Sequence, residues 1–189
     1  MKKFLTLVVV AGALFFLFQI TVWLRADMAY ARGRSLADAG YLLAAQESLE
    51  EATRLWPREP AYHRELTAVY AGLAQVSAGE EQGRWVAQAA AESQAARELN
   101  PRNLLTLKSL IPTYFALSRL DPRYSLAVSG VVQRAVALCP TDPTLWYFQS
   151  LIFLDQEEAL TALGAVARAL ELKPDYPEAR ALYEELLSQ

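Results

Sequence analysis

The string Ala-x-x-Leu-x-Pro occurs four times in 189 residues, at Ala52/Leu55/Pro57, Ala96/Leu99/Pro101, Ala135/Leu138/Pro140 and Ala169/Leu172/Pro174. With proline at about 5% of residues, chance places well under about one such string in a chain of this length. Each string reads as the end of a helix. The small residue admits a close neighbour, the leucine three positions on shares its face, and the proline stands just past the last position a helix can use. The spacings from proline to proline are 44, 39 and 34 residues, so a helical unit recurs along the chain.

The last unit, residues 143–176, places Trp146 early in its first helix, Ala162 and Ala169 in its second, and then Pro174. Its 34-residue spacing and these offsets resemble a tetratricopeptide repeat (TPR). In the same register the first unit supplies Gly33, Gly40, Ala45 and Ala52, and the second Leu66, Tyr70, Ala89 and Ala96. The third is divergent: Leu110 and Tyr114 fit, Val128 replaces the usual alanine, and Pro112 falls inside its first helix, where a kink is expected. The resemblance implies an all-α fold, a right-handed TPR-type α-solenoid of about four helix pairs behind an N-terminal transmembrane helix. The expected boundaries are a tail at 1–3, an anchor at 4–24, repeats at 26–59, 60–103, 104–142 and 143–176, and a capping helix at 177–189. The two longer units predict insertions. One is a polar, glycine-bracketed loop at residues 77–83 between the helices of the second repeat; the other lies near residues 118–122, with Asp121 as N-cap and Pro122 at the first helical position.

Residues 4–24 carry no charge, and a helix of that length is about 31 Å long, which matches a bilayer core. The rival is a cleaved signal peptide, with Lys2 and Lys3 as a basic n-region and Ala29-Tyr30-Ala31 as a cleavage site. The apolar run exceeds an h-region of about 7–15 residues, and cleavage there would remove the start of the first repeat helix. The expected location is therefore the bacterial inner membrane, single-pass. Lys2 and Lys3 face Arg25, Arg32 and Arg34 across the span, and their number alone does not orient it. A short two-lysine tail retained inside puts the repeats on the periplasmic side, with Trp23 at the far interface.

Chemistry is sparse. Cys139 is the single cysteine and His63 the single histidine, which excludes an intramolecular disulfide and a Cys-rich zinc site. Neighbouring acids such as Glu80 and Glu81 diverge by about 100° on a helix and do not converge on a substrate. Phosphate loops, nucleophile elbows and zinc-binding helix motifs do not occur. The chain reads as a non-enzyme without cofactor or metal. Removing Lys2 and Lys3 from the 18 basic residues leaves 16 against 21 acids, a net of −5, which disfavours nucleic acid as a partner.

Binding remains. The resemblance maps the concave groove of TPR arrays onto Tyr30, Arg34, Arg64, Lys108, Phe115, Tyr147 and Leu154. Three cations interleaved with three aromatics suit an extended protein or peptide segment, or an anionic glycan chain. Asp27, Asp38, Glu65 and Asp155 are available to neutralise them, in which case these are ordinary surface residues.

A second resemblance concerns the layout. A hydrophobic helix leading into ADMAYARG, then WPREPAYHRELTAVYAGLA, ARELNPRNLLTL, LDPRYSLA, LCPTDPTLWY and LKPDYPEARALYEEL is similar to the repeat-bearing C-terminal extension of bacterial O-antigen ligase-like membrane proteins. The catalytic residues of those enzymes lie in a part that has no counterpart in this sequence. Three roles stay open: an anchored scaffold for protein–protein interaction at the cell envelope, a detached docking extension of a glycan enzyme, and an envelope assembly factor for pili or cytochrome maturation.

Overall fold

A residue that precedes proline is pushed out of the α region by the proline ring, and this rule sets the helix ends. A computed structural model describes residues 2–188; Met1, Gln189 and the side chains of Lys2, Lys3 and Leu5 lie outside the described residues, and with them the basic tail expected at 1–3. Among the described residues there are nine α-helices and no strand: α1 (Lys2–Asp38), α2 (Leu42–Leu55), α3 (Pro60–Val76), α4 (Gly79–Leu99), α5 (Leu104–Leu120), α6 (Ser125–Leu138), α7 (Pro143–Asp155), α8 (Ala159–Leu172) and α9 (Pro177–Leu187). The helices α2, α4, α6 and α8 each end on the leucine of an Ala-x-x-Leu-x-Pro string. Trp56, Cys139 and Lys173, each preceding a proline, hold φ at −141°, −142° and −142°. Each donates its N–H to the carbonyl of the string's alanine, at 2.9, 3.0 and 2.9 Å. All four alanines are fully buried.

The chain divides into two units, Met1–Leu99 and Asn100–Gln189. In the first, α1 packs on α2 and α3 on α4. Gly33 lets α1 and α2 approach: a Cβ there would stand 2.6 Å from Leu49 Cγ and 3.2 Å from the Ala45 carbonyl oxygen. Gly40, at φ +83°, makes the turn between them. Ala26, Ala29, Ala52 and Tyr62 form one core cluster, with Tyr30, Leu55 and Trp56 packed against it. In the second unit, α5 packs on α6, α7 on α8, and α9 covers α8. Val166, Ala169 and Ala179 are the centre of a cluster that Trp146, Tyr147 and Tyr176 close.

One sequence expectation is revised. The loop expected at residues 77–83 is helical from Gly79 onward. Glu80 and Glu81 sit in the first turn, where the helix dipole favours acids, and Gln82 Nε2 donates to the Ala74 and Ser77 carbonyls at 3.0 and 3.1 Å, satisfying the open end of α3. The extra residues lengthen helices instead of looping out. Pro112 lies inside α5, which continues through it from Leu104 to Leu120. As expected, Asp121 is the N-cap and Pro122 takes the first helical position, here of a 3-10 turn at Pro122–Tyr124 that leads into α6 at Ser125. Finally, α1 is a single 37-residue helix that carries both the stretch expected as anchor and the first helix of the expected first repeat. Its N-terminal part is exposed and is long and apolar enough to cross a membrane, with a mean hydropathy of 2.4; its C-terminal part builds the core of the first unit.

Candidate functional site

In the second unit, α5 and α7, the first helices of successive pairs, and the start of α9 carry a file of aromatic rings. Phe115 lies 5.8 Å from Phe148, Phe148 lies 6.0 Å from Tyr147, and Tyr147 lies 5.3 Å from Tyr176, all between ring centroids. Lys173 Nζ stands 5.1 Å over the Tyr176 ring. All four rings are half-buried, so each packs with part of its face open. Burial, with Glu178 adding to it, raises the Tyr147 hydroxyl above its ordinary range, so it stays a neutral hydrogen-bonding group. Leu154 is half-buried seven residues beyond Tyr147 and shares its face of α7.

Lys108 is spoken for. Its Nζ lies 2.5 Å from Asp142 Oδ2, and the same carboxylate accepts the Thr144 N–H at 3.0 Å to cap α7. Burial pushes the Asp142 carboxyl up, and Lys108 with the Thr144 N–H overcomes this and holds it below the usual range. Lys108 therefore joins α5 to α7, and a ligand would meet it already neutralised. The neutralising acid is Asp142, and not one of the four that the sequence offers for that part.

In the first unit, Tyr30 is half-buried against Tyr62, with centroids 5.0 Å apart. Arg34 is exposed one turn further along α1, and Arg64 is half-buried on α3. Neither arginine has an ion-pair partner among the described residues. So Phe115 and Tyr147 are joined through Phe148, whereas Tyr30 is joined to Tyr62 and not to another of the expected groove residues. The sequence reading missed Phe148, Tyr62 and Tyr176. Phe148 directly follows Tyr147 in the sequence, but adjacency alone does not say which rings meet. No group of three or more His, Cys, Asp and Glu is placed to hold a metal among the described residues.

His63 is buried, not free in a groove. Its Nδ1 is 2.6 Å from Glu92 Oε2 and its Nε2 is 2.9 Å from the Pro57 carbonyl oxygen. Both partners offer acceptor oxygens, an arrangement that favours the doubly protonated ring. The Glu92 hydrogen bond raises its pKa above the ordinary 6.5, against burial, which lowers it. A raised folded-state pKa stabilises the fold fully below the unfolded value, and the gain disappears as pH rises through the folded value. Urea unfolding of the detergent-solubilised protein is therefore expected to show stability falling as pH rises above the ordinary histidine value of about 6.5. Glu92→Gln should flatten that fall, and an unchanged slope would remove the pair from the account.

The pairing of helices, with small buried residues at each crossing and a proline behind each second helix, has counterparts among solved structures. A thermophilic TPR protein of Thermus thermophilus, TTC0263, superposes with a TM-score of 0.69 at 21% identity, over 87% of this chain and 82% of that one. The fold is that of the TPR proteins. PilF of Pseudomonas aeruginosa matches at a TM-score of 0.67 and 17% identity, over 87% of this chain and 68% of that one. MamA of Desulfovibrio magneticus RS-1 matches at 0.68 and 16%, over 86% and 83%. No protein-family model and no curated protein matches the sequence. At 16–21% identity these TPR structures convey fold and nothing about partners. They leave the resemblance to the O-antigen ligase-like extension where the sequence put it.

Proposed function

We propose that the protein is a non-catalytic TPR scaffold held at the bacterial inner membrane by the first part of α1. It presents its repeats on the extracytoplasmic side to a protein or peptide partner. The carrying observation is that the exposed apolar stretch and the first repeat helix are one uninterrupted element. Cleavage after Ala31 would strip Ala26, Ala29 and Tyr30 from the core cluster they form with Ala52 and Tyr62, which supports retention of the segment. The aromatic file on α5, α7 and α9 supports a binding role, because half-open rings offer apolar area at low entropic cost. On the first unit Arg64 suits an acidic or C-terminal carboxylate group of the partner.

The test is capture of the partner from solubilised native membranes by full-length protein. Arg64→Glu is expected to reduce capture several-fold while shifting stability by less than about 0.5 kcal/mol, as surface charge changes usually do. Equal capture by wild type and variant would take this face of α3 out of the reading.

A further inference from the structure

Where α1 passes from its exposed apolar part to its packed part, a cleft of about 330 Å³ opens between α1 and α2, lined by Arg25, Met28, Ala29, Arg32, Ser48 and Glu51. We propose that this cleft seats the phosphate of an anionic phospholipid headgroup. The proposal rests on the anchor reading above. Arg25 and Arg32 are seven residues apart, nearly two turns, so they share a face about 10 Å apart along the axis. With residues 4–24 in the hydrocarbon, Arg25 is the first residue past it. Arg32 starts about 12 Å past it, beyond a headgroup layer about 5–8 Å deep. Its long side chain can reach back into that layer, because helical side chains lean toward the N-terminus. Trp23, 45% exposed, sits at the boundary where an indole is favoured.

The charges fit a phosphodiester. Two arginines against Glu51 leave one net positive charge, the complement of one negative headgroup phosphate. The Arg25–Glu51 contact is loose, at 3.6 Å between exposed side chains, and Arg32 is exposed with no ion-pair partner among the described residues. Met28, 72% exposed on the same lining, gives the glycerol and upper acyl region an apolar wall. The turn between α2 and α3 lies at the same end of the unit, since Trp56 packs on the Ala26–Ala52 cluster, and it adds the exposed Arg54 and Arg58. The nearby acids are engaged: Glu59 accepts the Ala61 N–H at 3.2 Å, and Asp27 bonds the Tyr62 side chain. A cleft of this make-up beside the span prefers an anionic lipid over a zwitterionic one.

Full-length protein is reconstituted in nanodiscs of phosphatidylcholine with a minority of phosphatidylglycerol, and the lipids retained on release are counted by native mass spectrometry. Wild type is expected to retain phosphatidylglycerol preferentially. Arg25→Gln and Arg32→Gln should each cut the preference about five-fold, whereas Arg134→Gln, which does not line the cleft, should leave it intact. An undiminished preference in the double variant overturns the proposal. Binding of inorganic phosphate by protein in phosphatidylcholine-only discs, with no phosphatidylglycerol preference, assigns the cleft to a free anion and overturns the lipid reading. Entry into discs without any preference sinks the proposal alone; failure to enter them sinks the anchor reading as well.

Discussion

Full-length protein carrying Leu14→Arg and Phe15→Arg together is expected to leave the carbonate-resistant membrane pellet and appear in the soluble fraction. Both residues lie at the middle of the uncharged stretch and are 62% and 64% exposed, touching nothing that holds the repeats together. At the centre of a spanning helix each exchange of an apolar side chain for arginine costs about 3–4 kcal/mol, so the pair costs about 6–8 kcal/mol. That is enough to reverse insertion of a single helix, while the melting of the repeat part should not move. If the double variant stays in the pellet, the stretch is not what holds the protein there. A mature chain beginning at Arg32 would instead make the segment a signal peptide.

The second large effect lies at the closest helix contact. Leu49 is fully buried and meets the bare face of Gly33. Leu49→Ala is expected to cost about 2–5 kcal/mol through lost burial and the cavity left behind. Gly33→Val should cost about 1–3 kcal/mol, because the added atoms fall on Leu49 Cγ and the Ala45 carbonyl. Combining them removes the atom that the new side chain strikes. The double variant should thus be less destabilised than the sum by about 0.5 kcal/mol or more in thermal unfolding followed by circular dichroism. Strict additivity would mean that Gly33 is not held tight by Leu49.

Helix ends were legible because their causes are local. Proline sterics act on the residue before it, and a buried alanine three positions before a leucine marks one face, so Ala52, Ala135 and Ala169 announce helix ends without knowledge of the fold. Residues 77–83 misled for a related reason: two glycines and polar residues read as a loop, yet Gly79 starts α4 and Gln82 turns back to cap α3. The pairing of Lys108 with Asp142 and of His63 with Glu92 depends on which faces meet across helices, which composition does not reveal. One signal was available for the first. Lys108 and Asp142 are 34 residues apart, five short of the 39-residue spacing of their unit, which puts Asp142 at the start of the helix that corresponds to that of Lys108 in the next repeat. The aromatic file had no such signal, because Phe148 joins Phe115 to Tyr147 through ring directions that only the packed helices set.

The uninterrupted α1 makes its exposed apolar part a shaft and the first unit a body keyed to it. No swivel separates them, so the compass bearing of that unit around the α1 axis depends on how many residues lie between. One residue added after Leu24 would lift the first unit about 1.5 Å and rotate it by about 100° relative to the apolar part, presenting a different flank to anything fixed to that part. Under the anchored reading proposed above, partner choice is thereby tied to residue count as well as to residue type.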